Sequence, residues 1–321
     1  FFKIIFMMES NHIVPLSKQG LLAMRPKKVF PSQAKINSLE FSLDGLRLLS
    51  AADNGWLTLY DVNDCTSIRV IGCTKYGVGQ AIFGAHPEIV LHTATKVDNN
   101  IRYMSMHDNR YLIAFTGHTD KVTNIEFNPT KDSFMSCSLD NSLRMWDVRQ
   151  KSCTHEMQLE APPVGAYDPE GVVFAVGINS NMIKLYDIRN FDGGPFQNFT
   201  ISNVDNIRWS QIKFSRAGTF IIISTNSNKF TVMDSFNAEV IHTFNDSKND
   251  YNEFIYGDLT GDQIYGLYGG SDSKVHVYST KEGKEIGILN SKHSGTVTHV
   301  LFNQFYSVLA TAGSDGLELW S

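Results

Sequence analysis

The chain of 321 residues has only four cysteines and nine prolines, and lysine and arginine are outnumbered by aspartate and glutamate. Cys65, Cys73, Cys137 and Cys153 form no CxxC pair and have no histidines at zinc-ligand spacing, which argues against a disulfide scaffold or a zinc ribbon. Reduced, mostly buried thiols in an intracellular protein are expected. A net charge of −5 with a pI near 6.1 gives no basic excess for broad nucleic-acid binding. No run reaches the roughly 18 apolar residues of a spanning helix. The opening FFKIIFMM is apolar but too short and too poorly flanked for a signal peptide, and Met7 or Met8 is an alternative start. The sequence contains no GxxxxGK[ST], GxSxG, HExxH or EF-hand pattern, and its ten histidines are scattered. No catalytic residue, cofactor or metal is therefore expected. Gly77-Val78-Gly79 lacks the third glycine and the helix of a dinucleotide site and reads as a turn opening a repeat.

What is present is a repeat. Apolar, polar, apolar, aromatic, then Asp or Ser recurs seven times: WLTLYD ending at Asp61, IRYMSMHD at Asp108, LRMWD at Asp147, IKLYD at Asp187, FTVMD at Asp234, VHVYS at Ser279 and LELWS at Ser321. Successive endings lie 39 to 47 residues apart. That interval fits four short strands and their turns, the period of a propeller blade. The predicted fold is all-β, a single seven-bladed β-propeller over residues 17–321, preceded by an extension over 1–16. Because Ser321 ends a third strand, the last blade needs an outer strand from elsewhere. Arg25 to Phe30 can supply it, since Pro26 is tolerated only on an edge. Ser17 to Met24 reads as a short helix with Ser17 as N-cap.

The third repeat is the clearest. GHTDKVTNIEFNPTKDSFMSCSLDNSLRMWD, residues 117–147, alternates apolar and polar residues between turns. It resembles the WD-repeat family, opening on Gly117-His118 and closing on Trp146-Asp147. The resemblance implies a structural hydrogen-bonded tetrad of His118, Ser138, Asp140 and Trp146, with Ser136 as the alternative hydroxyl. A buried imidazole and indole need partners, and a turn carboxylate provides a charged acceptor. His293 echoes the opening histidine, while Tyr60, Tyr186 and Tyr278 stand in the tryptophan slot.

With no chemistry in view, loops held on a stiff frame become the candidate binding surface. Lys75, Tyr76, Arg102 and Tyr103, with Arg110 and Lys121 near them in sequence, combine cations and rings suited to an acidic or phosphorylated peptide. Phe191 and Phe196, within FDGGPF, are candidate aromatic anchors, and Gly193-Gly194-Pro195 reads as a turn leaving an outer strand.

A narrower resemblance rests on Lys75-Tyr76-Gly77-Val78, on DNNIRYMSMHDNRYL at 98–112, on SLDNSLRMWDVR at 138–149 and on YDPEGVVFAVGINSNMIKLYDIRNFDGGPF at 167–196. KFSRAGTFIIISTN at 213–226 and a KHSGTVTHVLFNQ segment extend it, so that it runs from about Leu16 onward. These stretches are similar to the WD-repeat subunit shared by COMPASS-type histone-lysine methyltransferases and transcription-termination or phosphatase assemblies. That likeness implies a nuclear scaffold without catalytic activity. Its expected partners are methyltransferase subunits, the phosphorylated tail of RNA polymerase II and a termination or phosphatase scaffold, with no membrane and no direct nucleic acid. An alternative is a substrate receptor of a cullin-RING ubiquitin ligase, through Arg149 and Arg189 of Trp146-Asp147-Val148-Arg149 and Tyr186-Asp187-Ile188-Arg189. Against it stands the simpler role of these arginines as strand-end partners of nearby carboxylates.

Overall fold

A computed structural model describes residues 16–201, 207–227, 229–245 and 253–321. The expected extension over 1–16 therefore lies outside the described residues except for Leu16, whose N–H donates to Asp262 Oδ2 at 3.0 Å. Seven four-stranded antiparallel sheets follow one another around an axis, as the seven repeats predict. Blade 1 consists of β2 (Ile36–Phe41), β3 (Arg47–Ala52), β4 (Trp56–Asp61) and β5 (Thr66–Gly72), counted from the axis outward. The next five blades span 81–115, 122–158, 164–200, 209–245 and 258–290. Blade 7 takes three strands from residues 297–320 and its outer strand from β1 (Pro26–Pro31). β1 pairs antiparallel with Gly316–Trp320 and slips register between Pro26 and Lys28, beside the proline that cannot donate to the ladder. The clasp thus joins the two ends of the chain into one sheet. Just before it, α1 (Lys18–Ala23) is capped by Ser17, which accepts from the Gly20 N–H at 3.0 Å.

One repeat ending shifts in the structure. The third strand of blade 2 is Ile101–Ser105, so Met104 fills the aromatic slot and Ser105 the terminal one, and Met106 to Asp108 form the turn that follows, with Met106 buried and His107 and Asp108 exposed. The apparent motif at 101–108 had been displaced by an apolar-looking turn. Likewise, Gly193-Gly194-Pro195 closes a short 3-10 helix, Ile188–Gly193, and leads into the outer strand Gln197–Thr200 rather than out of it.

Alternate residues of each strand pack against the two neighbouring blades, so the core is a ring of seven clusters. The inner strands are also stitched around the axis by side chains that accept N–H groups from the next blade. Ser38 Oγ accepts from Ala81 at 2.9 Å, Gln80 Oε1 from Ile125 at 2.6 Å and Asn124 Oδ1 from Gly165 at 3.2 Å. Ser224 Oγ accepts from Gly257 at 3.2 Å and Asp258 Oδ2 from Phe302 at 3.1 Å. The Glu40 carboxyl takes the Phe83 N–H, and Glu126 that of Tyr167. An axial channel of about 1320 Å³ runs between these strands, with Glu40, Glu126 and Lys213 on its wall. Burial pushes both glutamates up to about 8, against a smaller opposing pull from Lys213.

Candidate partner-binding site

The polar core of blade 3 fixes its own protonation. Trp146 Nε1 can only donate, so Ser136 Oγ accepts from it at 2.8 Å and gives its own proton to His118 Nε2, 2.7 Å away. Nδ1 then carries the imidazole proton and donates it to Asp140 Oδ2 at 2.8 Å. The hydroxyl of this tetrad is Ser136, not Ser138. Ser136 faces Arg144 across the sheet and points along the same side as Trp146, whereas Ser138 lies at the strand end and donates to the Asp120 carbonyl at 2.9 Å. Burial depresses the His118 pKa, keeping the ring neutral. Burial pushes Asp140 up, but hydrogen bonds from Ser142, His118 and the Thr119 N–H outweigh it and hold the carboxyl well below the usual range.

Blade 7 repeats the device at the ring closure. His293 Nδ1 meets Asp315 at 2.7 Å, and Thr311 Oγ1 bridges His293 Nε2 at 3.1 Å and Trp320 Nε1 at 3.0 Å. Of these four residues only His293 stands out in the sequence by itself. The missed signal is spacing: the aspartate lies 22 residues and the hydroxyl 18 residues beyond the histidine in both blades.

Blade 2 has no tetrad. Its turn carboxylate, Asp98, holds Arg102 in a two-point pair at 2.9 and 2.6 Å. The guanidinium lies 3.4 Å from the centre of the Tyr76 ring, and Tyr76 meets the Tyr111 ring edge-on at 5.6 Å. Lys75 also sits over the Tyr76 ring, with Nζ at 4.9 Å from its centre. The Tyr76 hydroxyl is drawn below its ordinary pKa, first by Lys75. Gly77 lets the loop pass tightly: its φ is +67°, and a Cβ there would overlap Thr95 Oγ1. Tyr76 accepts the N–H groups of Thr95 and Lys96 through its carbonyl, pinning this loop to the next. Val97, exposed and β-branched, holds a φ of +72°, a strained conformation on the same rim.

The proposed contact residues separate accordingly. Lys75 and Tyr76 reach the surface, and exposed Lys96 adds a cation beside them. Arg102 and Tyr103 are not loop residues. Both lie on the third strand of blade 2, with exposures of 5% and 7%. Arg102 is covered by Tyr76, and Tyr103 turns to the other face, packing in the cluster that contains Phe134 and Trp146. Arg110 pairs with Ser105 at the opposite end of the blade, away from Lys75. Lys121 lies on the channel rim of blade 3.

Arg149 and Arg189 are exposed, yet each closes a two-point pair on the carboxylate two residues before it. The distances are 2.9 and 2.6 Å to Asp147, and 3.0 and 2.7 Å to Asp187. Phe191 is half-buried against Phe174, Tyr186 and His155. Phe196 is 58% exposed. All four cysteines are unpaired. Among the described residues no group of three or more His, Cys, Asp or Glu is placed to hold a metal, and no helix is long and apolar enough to cross a membrane.

Seven four-stranded blades, an N-terminal clasp and His–hydroxyl–Asp–Trp tetrads define a WD-repeat β-propeller. The WD domain, G-beta repeat family matches residues 109–147, from the outer strand of blade 2 through the tetrad of blade 3. Across the chain, WD repeat-containing protein 82 of Drosophila melanogaster is 40% identical over 278 residues, covering 87% of this chain and 88% of the relative. The Set1 complex component swd2 of Schizosaccharomyces pombe is 32% identical over 68% of this chain and 62% of its own length. COMPASS component SWD2 of Saccharomyces cerevisiae is 27% identical over 93% of this chain and 96% of its own. This chain belongs to the WD repeat-containing protein 82 family.

Proposed function

We propose that this protein is a non-catalytic nuclear scaffold subunit of a Set1- or COMPASS-type histone-lysine methyltransferase assembly, linking it to transcribing RNA polymerase II. The observation that carries this reading is the alignment with the yeast COMPASS component SWD2 over almost the whole of both chains, which takes in every blade. Lys75, Tyr76 and Lys96, set on the rim of blade 2 around a buried arginine, suit an acidic or phosphorylated segment such as the polymerase tail. Phe196 provides an apolar anchor on blade 4. Transcription-termination or phosphatase assemblies are the second setting, through the same surfaces.

Affinity purification of the tagged protein from nuclear extract tests the assignment. A SET-domain methyltransferase and phosphorylated polymerase are the expected companions. Lys75→Glu combined with Lys96→Glu is expected to lose polymerase while retaining the methyltransferase. Recovery of a cullin-ligase adaptor alone would overturn the reading, and loss of that adaptor on Arg149→Ala would assign the alternative.

A further inference from the structure

The two blades that carry tetrads differ at one buried position of their third strands. In blade 3, Arg144 stands two residues before Trp146, opposite Ser136 of the second strand and Glu156 of the outer strand, and it pairs with Glu156 at 2.8 Å. In blade 7 the matching residue is Glu318, two before Trp320, opposite Thr311 and, on the clasp strand β1, Val29. Glu318 is fully buried. Its Oε1 accepts the Lys292 N–H at 2.8 Å, while Oε2 has no hydrogen bond and lies 3.9 Å from His293 Nε2. The strand borrowed from the N-terminal region thus puts valine where blade 3 has a charged partner.

His293 does not fill that role. Trp320 Nε1 can only donate, so Thr311 Oγ1 accepts from it and donates to His293 Nε2, as Ser136 does to His118 in blade 3. The Nδ1 proton then goes to Asp315. The ring therefore turns an acceptor toward Oε2, which cannot satisfy an ionised carboxylate. Lys292 and His293 come from the loop between blades 6 and 7, and Asp315 from the turn before the strand. Blade 6 packs Val275, Val277 and Leu289 in the cluster around Trp320, and its titratable Asp272, Lys274, His276 and Glu285 engage one another. β1 offers Val29, with Lys27 and Lys28 exposed. Burial is the largest influence on the Glu318 carboxyl and raises its pKa. Asp315 adds to the rise, and His293 and Lys292 oppose it.

β1 is also the outer strand most easily released. The other six outer strands follow their own third strand in the chain, whereas β1 meets Gly316–Trp320 from the far end of the sequence. It is fixed by its ladder, by a backbone pair between Arg25 and Ser321 at 3.3 Å, and by the Ser32 N–H on the Asp315 carbonyl at 2.9 Å. We infer that Glu318 is a pH-responsive latch on the clasp: protonated, it stays sealed behind Val29, and ionised, it loosens β1 from Gly316–Trp320. A buried carboxylate without a partner is costly, and lifting β1 hydrates it by local opening. Because burial raises its pKa, Glu318 contributes stability below the ordinary carboxylate range and loses it as the pH rises through the folded value.

Amide exchange of the whole chain, corrected for the intrinsic rate at each pH, tests the latch. Protection of residues 27–30, taken relative to Gln197–Thr200 on the outer strand of blade 4, is expected to fall by about tenfold between pH 5 and pH 8. Glu318→Gln keeps an acceptor for Lys292 and is expected to make this ratio independent of pH. Glu318→Met gives the same reading should the glutamine variant not fold. Val29→Arg supplies on β1 the opposite charge that Glu156 supplies to Arg144 in blade 3, and it too is expected to level the ratio. The inference is overturned by a ratio that stays level in wild type, as when His293 takes up the proton that Glu318 releases, or by the wild-type fall persisting in a folded Glu318 or Val29 variant.

Discussion

Blades 2 and 3 solve the same problem with opposite chemistry. Both place an aspartate in the turn between their second and third strands and bury a nitrogen donor beneath it. In blade 3 the donor is a neutral imidazole, and the proton path from Trp146 through Ser136 and His118 to Asp140 leaves a single charge at the edge of the network. In blade 2 the donor is Arg102, which is always charged, so Asp98 must stay ionised beside it and Tyr76 must cover it. A neutral tetrad tolerates being sealed, and blade 3 is sealed. An ion pair with one half-exposed partner invites contact from outside, and blade 2 is where strained Val97 and the exposed lysines Lys75 and Lys96 gather.

The largest expected effect separates these designs. Asp98→Ala strands a charged Arg102 and is expected to destabilise the fold by about 3–5 kcal/mol, whereas Arg102→Met, which removes the charge, is expected to stay within about 1 kcal/mol of wild type. Chemical denaturation of both variants measures this, and equal losses would break the contrast. In blade 3, Asp140→Ala leaves His118 Nδ1–H and the Thr119 N–H without acceptors, an expected cost of about 2–3 kcal/mol. Because the Asp140 carboxyl is depressed in the fold, its stabilisation is present above the ordinary carboxylate pKa and is lost as the pH falls through its lowered value. Melts of this variant and wild type should therefore converge in strong acid.

The channel glutamates have the opposite sign. Their folded pKa is raised from 4.5 to about 8, so the fold loses stability as the pH rises through that window. Glu40→Gln and Glu126→Gln keep an acceptor for the next blade's N–H. They are expected to raise the melting temperature at pH 8 to 9, with the gain vanishing near pH 5. The smallest effect on stability belongs to Tyr76→Ala, which removes the ring stacked on Arg102 and is expected to leave the denaturation midpoint close to that of wild type. Its main readout is binding of an acidic peptide rather than stability.

The contrast also explains what was legible in the sequence. Blade 3 announces itself because His118, Asp140 and Trp146 have fixed roles at fixed spacings, and no other residue types complete that network. Its hydroxyl was ambiguous because Ser136 and Ser138 share one face of the strand, and only the register opposite Arg144 decides which reaches the indole. Blade 2 is less legible because Arg102 and Tyr103 are polar-ended residues adjacent in sequence, which in a strand must face opposite ways. One went under Tyr76 and the other into the neighbouring blade. Phe191 lies inside the 3-10 helix, which sets its ring against Phe174, while Phe196 follows the turn and stays in solvent.

Sequence alone determined the count of blades and the all-β class, because hydrophobic alternation and repeat length are local. Tertiary structure decided which charges are buried and which hydroxyl completes the tetrad. Those depend on how neighbouring sheets face one another around the ring, and that relation joins residues about forty positions apart or, at the clasp, from opposite ends of the chain.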